Sequence, residues 1–347
     1  MRENSIIGGK NMLNFAIIGF GGLGKVHFRN VEEVTNAVGD VKLVALCDID
    51  EKAFTTQTAT NLGDDKAGLD LSAYKLYNDA EEMFKNEKLD FVITALPTYI
   101  HEKIAVMAME YGINVFSEKP MAINHEQAQN MIDKAKENNV KLMIGQCLRF
   151  FPSYVMLKDI IDSKKYGNVV RAEFTRLSQT PDWSWQNWML DESKSGCVIL
   201  DLHVHDVDFI HWAFGMPKAV TSVATNGKTT HDSIMTVYDF GDDKLVTAKA
   251  DWGYPACYPF TAVFCVRFEK ATVELKGGEM WLYPEGGEAE KLELPAGNGY
   301  ALEVIEFINC IKENRASKIN PPEASMGSIY IAFAERKSAE TKTTVTL

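Results

Sequence analysis

The sequence predicts a doubly wound parallel α/β sheet over residues 13–147, followed by an α+β domain with a large, mostly antiparallel sheet over residues 148–347. Three observations predict it. A short apolar run, Phe15-Ala16-Ile17-Ile18, leads into Gly19-Phe20-Gly21-Gly22-Leu23-Gly24, a Gly-x-Gly-x-x-Gly turn from which a helix can start. Apolar strands and helical segments then alternate as far as Gly145, the pattern of βαβ units rather than of hairpins. From about residue 220, alternating strands are instead joined by short turns at Asn226-Gly227, Gly241-Asp242 and Gly277-Gly278, which is hairpin chemistry. A chain of 347 residues is long enough for two domains.

The elements follow in order. Residues 14–19 form the first strand, and 23–38 read as one helix. The second strand, 42–47, ends in Asp48, and Asp50 is placed to cap a helix over 51–61. After a short strand at 74–77, Asp79 and Glu82 form a capping box for a helix over 80–86. A buried strand at 91–95 runs into Pro97, and the helix over 100–111 ends at Gly112. Strands at 114–116 and 141–145 flank a helix that starts at Asn124. In the second half, helices are expected over 154–163, 197–214, 301–314 and 322–340, with strands at 169–177 and throughout 220–283. Residues 1–12 are polar and lack a signal-peptide core, so they read as a flexible extension with Met12 as a candidate start.

In a doubly wound sheet, ligands lie beyond the carboxyl ends of the strands. The glycine turn has the parts a dinucleotide needs: Gly19 for the sharp exit, Gly21 for close approach of backbone to a pyrophosphate, and Gly24 for close helix packing, with Phe20, Gly22 and Leu23 completing the loop. Asp48 stands near the offset expected of the acid that binds a ribose hydroxyl. Ile49 follows it, with no arginine for a 2′-phosphate, so NAD is favoured over NADP. Leu96 and Pro97, with His101 after them, form either a simple helix-starting turn or a wall beside the nicotinamide ribose. Glu118-Lys119-Pro120 ends another strand. The proline stiffens the turn and fixes where Lys119 points, although a Glu-Lys pair on a loop is as readily a solvated ion pair.

Two later stretches carry chemistry. Trp183, Trp185 and Trp188 are three of the chain's six tryptophans and form either packing contacts or a wall on which a sugar ring stacks. Asp201 and His205 are one helical turn apart on a face shared with Asp208, so the carboxylate can set the imidazole tautomer and stabilise its cation. A polar cluster and a metal site built from Asp201, His203, His205 and His211 compete with that reading. His203 and His205 do not share a face, and no metal is predicted.

Taken together, the glycine turn, Asp48, Pro97, His101, Glu118-Lys119-Pro120, Arg149-Phe150 and Asp201-x-x-x-His205 resemble the Gfo/Idh/MocA family, which includes glucose–fructose oxidoreductase, inositol dehydrogenase and many sugar dehydrogenases. The resemblance runs from about residue 13 to the C-terminus. It implies Lys119 near the reacting hydroxyl, His205 as acid/base with Asp201 as its partner, Glu118 beside the cofactor, and Arg149 near a sugar or cyclitol. It also implies a homodimer or homotetramer formed through the second sheet. Ser195-Gly196 stands where Gly-Gly is commoner, and His203 where a small residue is usual, so the pocket is expected to differ from those of relatives. The expected activity is NAD-dependent hydride transfer from a secondary alcohol. A redox-neutral glycosidase of the same family and a non-catalytic NAD(H)-binding regulator are the rivals.

The composition narrows the partners. A net charge of -12 disfavours nucleic acid and anionic membranes, and no apolar run approaches membrane-spanning length. Six dispersed cysteines without Cys-x-x-Cys read as reduced thiols, as expected of a cytoplasmic protein.

Overall fold

The structure, a computed structural model, describes residues 12–56, 59–60, 63–64 and 68–347. The expected N-terminal extension therefore lies outside the described residues, except for Met12. The first sheet has six parallel strands in the order Lys75–Tyr77, Val41–Cys47, Leu13–Ile18, Phe91–Thr94, Asn114–Glu118 and Leu142–Gly145. The chain winds one way from Leu13–Ile18 and then the other. A crevice opens where the order reverses, at the carboxyl ends of Leu13–Ile18 and Phe91–Thr94.

The strands are apolar on both faces because both faces are covered. Ala105, Ala108 and Met109 of the helix His101–Glu110 pack one face, with Met131 and Ile132 of His125–Glu137. The other face meets Val34 of Val31–Val38, and also Ala301, Val304 and Phe307 of Gly299–Lys312. The chain thus returns from the second half to close the first sheet. Caps act where the sequence places them: Asp79 accepts from the Glu82 N–H at 2.7 Å and Asn124 from the Gln127 N–H at 2.9 Å.

Three local expectations need correction. The helix expected over 23–38 is two helices, Gly22–Arg29 and Val31–Val38, broken at Asn30. The helix expected over 51–61 is a single 3-10 turn, Glu51–Phe54, capped by Asp50. A short β-ribbon, Ala59–Thr60 with Gly63–Asp64, follows it, and residues 57–58 and 61–62 fall outside the described residues. The helix expected over 197–214 contains a π-turn, Ile199–His203, ahead of the α-helix Val204–Phe214.

The second sheet has nine strands in the order Glu290–Leu292, Glu279–Pro284, Ala271–Lys276, Thr261–Phe268, Val169–Gln179, Leu245–Tyr254, Ser233–Asp239, Ala219–Thr225 and Val345–Thr346. It is not wholly antiparallel: Leu245–Tyr254 runs parallel to Val169–Gln179. The intervening chain crosses over through the helix Val204–Phe214 and two further strands, so the returning strand enters in the same direction. Tyr154, Leu157, Val207, Phe209 and Ile331 cover one face. The other face leaves Val223, Met235 and Val237 exposed on neighbouring strands.

Candidate active site

The crevice of the first sheet opens into a cavity of about 1290 Å³ bounded on its far side by the second domain. The glycine turn forms its floor. Gly19 has φ +87, and a Cβ there would lie 2.2 Å from the Ala95 carbonyl oxygen. A Cβ at Gly24 would lie 1.9 Å from the Gly19 carbonyl oxygen, so only glycine lets the helix Gly22–Arg29 start this close to the strand. Gly21 meets nothing within 4 Å on its Cβ side and lines the cavity with Phe20, Gly22 and Leu23. Asp48 stands beside this loop. Its Oδ2 accepts the Phe20 N–H at 2.7 Å and its Oδ1 accepts the Asp50 N–H at 2.9 Å. Burial raises the Asp48 pKa, and those two backbone hydrogen bonds oppose the rise.

Leu96 and Pro97 line the cavity, but His101 does not. The His101 ring is fully buried, with its two nitrogens 2.8 Å from the Pro120 carbonyl oxygen and 2.7 Å from that of Leu96. It ties the Pro97 turn to the Lys119-Pro120 turn from behind, and burial lowers its pKa. The peptide bond between Lys119 and Pro120 is cis. Lys119 enters the cavity from this turn. Its Nζ donates to the Asp201 carbonyl oxygen at 2.9 Å and to Asp201 Oδ1 at 3.3 Å.

That contact changes the expected role of Asp201. The sequence pairs its carboxylate with His205, whereas the structure aims it at Lys119. His205 instead has its Nδ1 3.9 Å from the Cys147 thiol. The π-turn sets the start of this helix: both Asp201 and His205 line the cavity, and Asp201 also presents its backbone carbonyl to Lys119. The His205 pKa is lowered well below the ordinary imidazole value, first by burial and then by the Lys119 and Arg176 cations. The ring is therefore held neutral, able to accept a proton.

Asp208 does not join Asp201 and His205. It forms a bidentate pair with Arg149, Nε to Oδ2 at 2.8 Å and Nη2 to Oδ1 at 2.9 Å, and a third guanidinium N–H reaches the Ile319 carbonyl at 2.8 Å. Arg149, expected near substrate, is thus committed to the interior and does not line the cavity. The arginine that does line it is Arg176, held by a bidentate pair with Asp206. His203 is also fully buried, 3.5 Å from Glu335 and 3.4 Å from the Tyr238 hydroxyl, and so does not shape the pocket directly. Trp183, Trp185 and Trp188 all line the cavity, with Trp252 and Tyr300 as further aromatic walls that spacing did not reveal.

Residues 13–146 match the oxidoreductase family with the NAD-binding Rossmann fold, GFO/IDH/MocA, and residues 154–274 match the GFO/IDH/MocA C-terminal domain. The chain belongs to this family. Its first domain is accordingly an NAD-binding Rossmann domain. Among curated proteins it is 29% identical over 245 residues to scyllo-inositol 2-dehydrogenase (NAD(+)) of Bacillus subtilis, a match covering 70% of this chain and 66% of the relative. It is 30% identical over 203 residues to inositol 2-dehydrogenase of Salmonella typhimurium, covering 58% and 54%. It is 27% identical over 191 residues to 2,7-anhydro-N-acetylneuraminate hydratase of Mediterraneibacter gnavus, covering 52% and 50%. These matches span half to two thirds of each relative's length. Among solved structures, levoglucosan dehydrogenase in complex with NADH and levoglucosan superposes with a TM-score of 0.81 at 17% identity, covering 96% of this chain and 99% of that one. That likeness shows a shared fold.

Proposed function

We propose that this GFO/IDH/MocA oxidoreductase oxidises a secondary alcohol of a sugar or cyclitol, with Lys119 and His205 as the groups on the reacting oxygen. The observation that carries the reading is convergence: Lys119, Asp201 and His205 face one cavity whose floor is the glycine turn and Asp48. The residues fit the cofactor, because the glycines clear its approach and Asp48 presents a carboxylate where a ribose hydroxyl would donate. Bound there, the nicotinamide supplies a hydride acceptor.

The remaining work falls to side chains. His205 Nδ1 faces Cys147, which leaves Nε2 to take the hydroxyl proton. The Lys119 ammonium has three donors, of which two go to Asp201. The third is available to the substrate oxygen, where it stabilises developing negative charge. Asp201 thus acts through Lys119, aiming its Nζ. The tryptophan loop presents flat apolar faces suited to the C–H face of a ring, while Arg176 adds a fixed cation at the wall. The exposed apolar strip at Val223, Met235 and Val237 fits self-association through the second sheet, which sedimentation equilibrium would test.

The test is nicotinamide absorbance with NAD+ and a panel of inositols, aldoses and their amino or acid derivatives. A rise with one compound class supports the reading and names the class. A redox-neutral second reading is favoured by one finding, the relative named as a hydratase of an anhydro sugar. NAD+ binding without absorbance change across the panel, but with substrate consumed, would replace the first reading with the second.

A further inference from the structure

Beneath the Lys119 turn lies a buried trio that the proposed reaction does not use. His27, on the helix that follows the glycine turn, donates from Nε2 to Glu118 Oε1 at 2.6 Å, with both side chains almost fully buried. The other oxygen of Glu118 accepts the backbone N–H of Lys119 at 3.2 Å. Glu303, on the helix Gly299–Lys312 that packs on the same face of the first sheet as the helix carrying His27, completes the trio. One atom from each of the three groups lies within 4.8 Å of the others. Glu303 is fully buried, and neither of its carboxyl oxygens has a hydrogen-bond partner. Gly145 closes the remaining side: a Cβ there would sit 2.9 Å from Glu118 Oε2. The other titratable groups whose charges couple to this trio are Cys147 and Tyr300, each with Glu118 and Glu303, and His101, with Glu118.

A buried carboxyl group without a donor partner either ligates a cation or carries a proton. The first option is weakened by geometry. His27 Nε2 and Glu118 Oε1 already form a direct hydrogen bond at 2.6 Å, which a metal ion bound to both atoms would have to replace. The second option fits. Burial and the neighbouring Glu118 charge both hold the Glu303 carboxyl well above the usual carboxylate range.

We propose that Glu303 is a positioning residue, held as the neutral carboxylic acid with its O–H available to Glu118, so that the Glu118 carboxylate stays fixed beneath the Lys119 turn. A second negative charge in this buried site would compete with Glu118 for His27 and loosen the turn. The neutral acid supplies a donor and adds no charge. The effect on turnover rests on the reading of Lys119 given above, but the protonation state of Glu303 does not.

Two measurements on the full chain with NAD+ bound separate these claims. Infrared difference spectra between wild type and Glu303→Gln at neutral pH should show one protonated-carboxyl C=O band that disappears in the variant. In turnover, Glu303→Gln, a neutral donor of the same shape, should stay within about threefold of wild type, and its rate should lose the fall at alkaline pH that ionisation of Glu303 causes. Glu303→Leu should lower kcat by about tenfold or more, while NAD+ affinity changes little. The absence of that infrared band would overturn the proposal, as would one equivalent of a divalent metal that copurifies with wild type and is lost in Glu303→Gln. Equal turnover of the Leu and Gln variants, with the band present, would overturn the positioning role. If no substrate is turned over at all, the infrared result still decides the protonation of Glu303.

Discussion

Arg149→Met separates the structure from the sequence most cleanly, because the resemblance implies Arg149 near substrate. In the structure its guanidinium spends three N–H groups on Asp208 and the Ile319 carbonyl. Both charged side chains are nearly inaccessible, at 2% and 1%. Methionine keeps much of the volume but leaves the Asp208 carboxylate with a single remaining partner of note, the Ser328 hydroxyl at 2.8 Å. Removing one member of such a buried pair costs about 3–5 kcal/mol, because the remaining charge is left uncompensated. Replacing both with apolar residues is often neutral or favourable. Urea unfolding of wild type, Arg149→Met, Asp208→Leu and the double variant therefore forms a cycle. The single variants should lose about 3–5 kcal/mol and the double variant should recover most of that loss. The folded Arg149→Met protein should bind NAD+ and substrate as wild type does. An Arg149→Met protein of wild-type stability with a raised KM for substrate would refute this reasoning and return Arg149 to the substrate site.

Three other outcomes follow from the same geometry. Gly24→Ala should weaken NAD+ binding by about tenfold or more, since its Cβ would start 1.9 Å from the Gly19 carbonyl oxygen and force the helix off the strand; isothermal titration reads it. His205 is competent as a base when unprotonated, and its pKa is lowered by burial, Lys119 and Arg176. The kcat/KM profile for oxidation should therefore stay flat through neutrality and fall only below the ordinary imidazole value of about 6.5, while the residual activity of Lys119→Met should show that fall at higher pH. Trp185→Ala should raise KM for a sugar or cyclitol several-fold while leaving NAD+ affinity unchanged, because Trp185 lines the cavity from the second domain and is 41% exposed.

Much of the first sheet was legible in the sequence because its signals are local. Buried parallel strands read as apolar runs, and Asp79, Asn124 and Gly112 mark helix ends by their own backbone chemistry. The glycine turn and Asp48 were legible for the same reason: strand, turn and acid lie within one βαβ unit. Pairings between distant segments were not. Helical spacing places Asp201 and His205 on one face but says nothing of Lys119, which arrives from another domain and takes the carboxylate. His101 was read as a possible cleft residue because it follows a strand end, and Arg149 because of the resemblance, yet a single turn of backbone decides whether a side chain faces the cleft or the interior. Glu303 gave no signal at all. It is one of two acids, with Glu306, on a largely apolar helix, and only the tertiary fold sets it beside Glu118. The parallel pair in the second sheet was hidden similarly, since strand periodicity carries no direction.

The most direct test of the central claim is turnover by Lys119→Met, with NAD+ affinity measured on the same preparation and a substrate that wild type oxidises. With Lys119 proposed on the reacting oxygen and its Nζ held by Asp201, the account predicts a loss in kcat on the order of 10² or more. The NAD+ dissociation constant should stay within about threefold, because the glycine turn and Asp48 are untouched. A Lys119→Met enzyme that binds NAD+ normally and turns over at a near wild-type rate would contradict the account.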